Sequence, residues 1–266
     1  MSVPDAKVKT AFGMPPPLRA AGRALLDFLY PPVCIACSAP VAEPDGLCTS
    51  CWQALVPITA PMCPVLGLPF ASDMGKGAVS AEALADPPVY ARARAAFAYS
   101  QMSARIVSRF KYGDHPELAR FAAAAMRRAG AEFWPGNPVL VPVPLHRFRQ
   151  WRRHYNQSAE LARHLAHSLG LDFAPDLARR KRHTRQQVGL NAEQRRRNVA
   201  GAFAVDAGAA GRWAGRPLVL VDDVLTTGAT VSALARALRR AGFDHIDVIS
   251  FARVVPGLEI AEPSNI

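Results

Sequence analysis

The sequence predicts an α/β fold built on a mainly parallel sheet, with a small metal-held module at its front. Three observations predict it. Strand-like and helix-like patterns alternate across residues 89–255. Half of the 266 residues are apolar, enough to bury a sizeable core. Four of the five cysteines fall in one short run near the N-terminus.

Taken in order, residues 1–30 have no long apolar stretch and no small-residue cleavage site, so no secretory signal is read and a cytoplasmic protein is expected. Residues 19–28 have the spacing of a short amphipathic helix, read as a docking segment. No apolar run approaches the roughly 20 residues that a membrane span needs.

Residues 31–70 hold "CIACSAPVAEPDGLCTSC", in which Cys34, Cys37, Cys48 and Cys51 form two C-x2-C pairs ten residues apart. Each pair turns two thiolates onto one ion, and two pairs complete a tetrahedral zinc site. Four thiolates leave no position for a reactive water, so the zinc is expected to be structural, supplying the folding free energy that so small a segment lacks. A redox pair or disulfides are the other uses of this spacing; zinc is preferred without a secretory signal. Cys63 is a lone thiol, read as a buried structural cysteine.

Residues 71–88, rich in small residues and closing on Pro87-Pro88, read as a linker. In the larger domain, residues 89–255, "RARAAFAYS" reads as a strand, and "SARIVSRFKY" and "PELARFAAAAMRRAG" as helices, the second opened by proline and closed by glycine. "NPVLVPVPL" is a short buried strand broken by Pro142 and Pro144. "QSAELARHLAHSLG" is a helix with Leu161, Leu165 and Leu169 on one stripe and Gly170 as its stop. "GAFAV" and "PLVLVDD" read as strands, "TVSALARALRRAG" as a helix and "HIDVISFARVV" as the last strand; residues 256–266 are expected to be a loose tail.

The formal charge of +11 is concentrated: residues 147–197 carry thirteen Lys or Arg against four acids, a net +9. That excess favours an anionic partner, either polyphosphate or nucleic acid, over a general solubility charge. Phe148, Trp151 and Tyr155 interleave with the arginines, a composition able to stack single-stranded bases, or equally to pack a helix onto the sheet.

The most informative stretch is "VLVDDVLTTGAT". A strand, a loop and a helix start follow one another, and in parallel sheets ligands bind beyond the carboxyl ends of the strands. Thr226, Thr227, Gly228, Ala229 and Thr230 form a compact loop whose amides, hydroxyls and helix dipole make an anion cradle. Without a lysine, it suits a terminal monoester phosphate. Asp222 and Asp223 are acceptors, matched to the two donors of a vicinal diol. A diol at one end and a phosphate at the other describe a sugar 5-phosphate such as ribose 5-phosphate, with Mg2+ held by the ligand's own oxygens to offset the acids. The structural alternative is an Asp pair ending a strand before a Thr-rich cap.

This stretch resembles the phosphoribosyl pyrophosphate (PRPP) signature of type I phosphoribosyltransferases. The wider chain resembles the ComF/GntX family of competence-associated, phosphoribosyltransferase-like proteins. "LLDFLYPPVC" before the ribbon, "RFKYGD", "VLVPVPLHRFRQWRRHYNQSAELAR", "RRKRHTRQQVGLNAEQRRRNVAGAF" and the signature occur in the family's order. The resemblance implies a type I phosphoribosyltransferase fold behind a zinc ribbon. It implies that Asp222 and Asp223 hold the ribose hydroxyls and act in catalysis, and that residues 226–230 bind the 5-phosphate. Val143, Pro144, Leu145, His146 and Arg147 take the place of the pyrophosphate loop, with Arg147 and Arg149 as cations for the diphosphate. Residues 183–198, polar and without clear period, take the place of a mobile loop that closes over the substrate.

Two departures stand out. Family ribbons carry a further cysteine pair, but Leu66 stands where the partner of Cys63 would be, making a second metal site doubtful. Thr226 occupies the position where purine-salvage members have aspartate, which argues against a purine-base substrate.

The expected function is transfer of phosphoribosyl to an unknown acceptor, with a family link to DNA uptake. The alternative is a non-catalytic, PRPP-sensing protein that binds single-stranded DNA, with a competence helicase as the partner the family implies.

Overall fold

The computed structural model describes residues 31–112, 116–145, 156–181 and 192–258. Its helices are α1 (Thr49–Gln53), α2 (Ala81–Ala85), α3 (Gln101–Tyr112), α4 (Pro116–Ala129), α5 (Gln157–Leu169), α6 (Ala192–Val199), α7 (Ala207–Arg212) and α8 (Ala229–Arg240). Its strands are β1 (Arg92–Ala98), β2 (Val139–Pro142), β3 (Ala178–Arg180), β4 (Phe203–Val205), β5 (Leu218–Leu225) and β6 (Ile246–Arg253). The main sheet runs β1-β6-β5-β2 with every neighbouring pair parallel, and β3 and β4 form a separate antiparallel pair.

Why these residues form a parallel sheet is plain from β5 and β6. Both are mostly apolar and buried along most of their length, as strands covered on two faces must be. Successive side chains of a strand point to opposite faces. Leu218 and Leu220 accordingly join one core with Leu234 and Leu238 of α8, while Val219 and Val221 join a second core with Leu161 and Leu165 of α5. The helices after β5 and β2 therefore lie on opposite faces of the sheet.

Local chemistry ends these helices where the sequence says it should. Pro116 opens α4, with Glu117 in its first turn and Arg127 and Arg128 in its last, all favourable to the helix dipole. Asn156 caps α5 by accepting the Ser158 N–H, and Gly170 ends it in the left-handed region at φ 66°.

The N-terminal module wraps the outer edge of β1. Ile58 N–H donates to Ala96 O at 3.1 Å, Ala98 N–H to Val56 O at 2.8 Å and Ala93 N–H to Val65 O at 2.8 Å. An edge that would otherwise template aggregation is thus covered. Bidentate Arg120–Asp45 contacts at 2.9 and 2.8 Å tie the module to α4.

Within the module one turn occurs twice. Cys34 N–H donates to Ala39 O at 2.7 Å and Ser38 N–H to Cys34 O at 2.8 Å; the equivalent bonds Cys63 to Leu68 and Gly67 to Cys63 are both 2.8 Å. Ser38 and Gly67 share φ values of 64° and 65°. In the second copy Leu66 takes the position of Cys37. Glycine is required at 67, because a Cβ there would lie 2.3 Å from Ala93 O.

Three expectations change. Residues 192–198 of the stretch read as a loop belong to the helix α6, which packs on α8. Its polar composition hides a helix held by tertiary contact rather than by an apolar stripe. "GAFAV" does form a strand, β4, but it pairs with β3 outside the main sheet. Within residues 71–88, Ser80 caps the short helix α2, whose Ala83 is buried. The amphipathic pattern at 19–28, residues 146–155 with His146, Arg147, Arg149, Phe148, Trp151 and Tyr155, residues 183–191, and the tail beyond 258 lie outside the described residues.

Candidate functional site

Two sites emerge. In the first, the Sγ atoms of Cys34, Cys37, Cys48 and Cys51 all lie within 4.8 Å of one another. Four sulfurs each about 2.3 Å from one zinc would be about 3.8 Å apart, and Cys37 and Cys48 Sγ stand 3.6 Å apart. The electrostatics ask for a cation. A hydrogen bond from the Ser50 hydroxyl holds the Cys48 thiol down at about 6, whereas burial, and then hydrogen bonding with Cys37, pushes Cys51 well above its ordinary value. Four adjacent thiols cannot all ionise unless a metal compensates them. This is a four-cysteine zinc-binding site.

Among the described residues the repeated turn offers no such set. Cys63 is fully buried and its Sγ accepts N–H bonds from Leu66 and Ser80, each at 3.4 Å. Arg253 donates to Leu66 O and Arg94 to Pro64 O at 3.0 Å, so buried guanidinium groups steady the carbonyls of this second turn.

The second site lies at the carboxyl ends of β2 and β5. These strands are neighbours, registered Pro142 to Val221, and Val143 N–H continues the pairing to Val221 O at 2.9 Å. Their helices leave to opposite faces, the arrangement that in open parallel sheets makes a crevice at the strand ends. This is where ligands bind in open parallel sheets.

On one lip stand Asp222 and Asp223, both half-buried. Ser158 Oγ donates to Asp222 Oδ1 at 3.0 Å, and Asp223 N–H donates to the same oxygen at 3.0 Å. Val224 N–H donates to Asp223 Oδ1 at 2.7 Å. These bonds orient both carboxylates.

Beyond the acids, Thr226 and Thr227 are exposed, Gly228 and Thr230 half-buried and Ala229 buried. Gly228 is the N-cap of α8 at φ 72°, a conformation that strains any residue with a Cβ, and there is no side-chain cap. The N-terminus of this twelve-residue helix thus opens on the loop. On the other lip are Val143 and Pro144, both buried, and half-buried Leu145.

Sequence reasoning assembled these two loops but missed what braces them. Asn156 Nδ2 donates to Val143 O at 3.2 Å, and Ser158 reaches Asp222 from 64 positions away. "NQS" reads from sequence only as the start of a helix. Its one available signal is that Asn156 is a strong cap residue.

Residues 25–83 match the double zinc ribbon domain family. Competence protein F of Haemophilus influenzae is 37% identical to this chain over 153 residues, covering 56% of this chain and 66% of that relative, just under two thirds of its length. The DNA utilization protein YhgH of Salmonella typhimurium is 32% identical over 233 residues, covering 85% of this chain and 98% of the relative. A solved structure of the allosteric regulatory enzyme of purine biosynthesis overlays 53% of this chain and 29% of its own at a TM-score of 0.33 and 19% identity, too slight a likeness to build on. No helix among the described residues is long and apolar enough to cross a membrane.

Proposed function

Because this chain belongs to the ComF family of competence proteins with an N-terminal zinc ribbon, we propose that it binds PRPP in the crevice between β2 and β5 and transfers the phosphoribosyl group to an acceptor. The observation that carries this reading is the pairing, at the end of β5, of two oriented carboxylates with a helix start that has no side-chain cap. One half accepts hydrogen bonds from a diol and the other donates them to a phosphate. PRPP has both groups.

In this reading Asp222 and Asp223 take the ribose hydroxyls, and residues 226–230 the 5-phosphate. The loop that begins at Val143 and continues through Pro144, Leu145, His146 and Arg147 takes the diphosphate. Mg2+, held by oxygens of the ligand, would lower the charge of the departing diphosphate. The chain's own part is to fix the ribose so that the anomeric carbon faces the acceptor, and to meet the growing negative charge with amides and arginines.

Titration calorimetry tests the binding step. Magnesium-PRPP is expected to bind saturably and ribose 5-phosphate more weakly. No heat from either at millimolar ligand overturns the proposal. Catalysis is read separately, as pyrophosphate released when an acceptor is supplied.

A second reading is that the same protein meets single-stranded DNA. The net +9 of residues 147–197 favours it, as do relatives whose names refer to competence and DNA utilization. Binding of a short single-stranded oligonucleotide is then expected to weaken steeply as salt is raised, because basic side chains release counterions from the phosphates. Affinity that is flat in salt removes this second role.

A further inference from the structure

The first turn of α5 contains a polar group that its surroundings do not explain. Gln157, Leu161 and Leu165 form one stripe at four-residue spacing, and all three are buried, with Gln157 only 2% exposed. The two leucines lie against the apolar strands, so a third apolar residue would extend the contact. Instead the stripe begins with a carboxamide whose Nε2 has no hydrogen-bond partner among the described residues. Leaving a buried polar group unmade is costly.

Its position is fixed by its neighbours. Asn156 is bonded to Val143, the first residue past β2, and Ser158 is bonded to Asp222 near the end of β5. Gln157, between them, stands where α5 meets the ends of β2 and β5, on the helix stripe that faces the sheet. The dipole of a thirteen-residue helix makes this end positive. A spare N–H donor at a positive helix end, where water has little access, is the complement of an anionic oxygen.

We propose that Gln157 is a ligand-binding residue that donates its unpartnered amide N–H to the diphosphate of the bound sugar ester. The inference rests on the PRPP reading above, and the geometry decides which end of the ligand it meets. The diol is assigned to Asp222 and Asp223 and the 5-phosphate to the start of α8, which leaves the diphosphate for the turn after β2, to which Asn156, next to Gln157, is bonded. Gln157 would then select sugars carrying a 1-diphosphate over those carrying the 5-phosphate alone.

The test compares wild type with Gln157→Leu and Gln157→Glu, using calorimetry with magnesium-PRPP and with ribose 5-phosphate, and thermal melting without ligand. A hydrogen bond to a charged group is expected to be worth about ten- to a hundredfold in affinity. Gln157→Leu should therefore weaken PRPP by that factor, change ribose 5-phosphate by less than about twofold, and leave Tm unchanged or raised because an unmade polar contact is gone. Gln157→Glu keeps the shape and sets a carboxylate against the diphosphate, so it should lose PRPP selectively as well. Unchanged PRPP affinity in both variants overturns the proposal, as does an equal loss for both ligands accompanied by a lower Tm, the signature of a merely structural residue. If wild type binds ribose 5-phosphate but gains nothing from the diphosphate, the inference fails while the sugar-phosphate site stands. Wild type binding neither ligand removes both.

Discussion

An Asp223→Ala variant is expected to lose PRPP binding by about a hundredfold or more while keeping its fold. A carboxylate holding a ribose hydroxyl makes a charge-assisted hydrogen bond worth about 1.5–3 kcal/mol, and losing it also loosens the ring that the neighbouring acid holds. The structural cost is small by comparison, because Asp223 is half-buried and its bond to Val224 N–H lies in a strand end already paired to β6. Calorimetry reads the affinity and thermal melting checks the fold. Asp222→Asn makes the companion measurement: it retains an oxygen for the Ser158 hydroxyl and for Asp223 N–H but removes the charge. If both variants bind PRPP within about threefold of wild type, the acid pair is a strand-end device and the proposed site is wrong.

What the sequence disclosed, and what it hid, divides along the range of the interactions. The helix Gln157–Leu169 was legible to its last residue, because its apolar spacing and its Gly170 stop are local signals. So were β5 and the turn into α8, where an apolar run, two acids and a left-handed glycine follow one another along the chain.

The brace from Ser158 to Asp222 was not legible, since the alternation of strands and helices does not by itself say which helix start faces which strand end. Nor was α6: "AEQRRRNV" has no apolar stripe, and its helix depends on packing against α8. The three-residue strand β3 is too short to carry a period at all, and β4, though read as a strand, gave no sign of its partner. The repeated turn was half visible, because Cys63 marks it while Leu66 conceals the pairing that the backbone retains.

A Cys34→Ser variant is expected to lose its zinc and to melt about 10 °C or more below wild type, which should carry about one zinc per chain. Structural zinc sites in small domains contribute about 10–16 kcal/mol of apparent binding free energy, and removing one of four thiolates forfeits part of it. The loss does not stay in the ribbon. Ile35, Ala36, Cys51 and Leu55 share a core with Phe97 of β1 and Phe110 of α3, and residues 56–65 cover the edge of β1. Opening the ribbon therefore exposes apolar surface and strips hydrogen bonds from the first strand of the sheet. For a domain of this size each kcal/mol shifts Tm by about 2–4 °C, so even partial loss of the metal's contribution gives the stated fall. Metal analysis and melting read both effects, and Cys63→Ser supplies the contrast. Its thiol is satisfied by two backbone N–H groups and sits opposite Leu66 rather than a second ligand, so zinc content should not change. Zinc retained by Cys34→Ser, zinc lost from Cys63→Ser, or two equivalents in wild type would each show that the metal is held by a different set of residues.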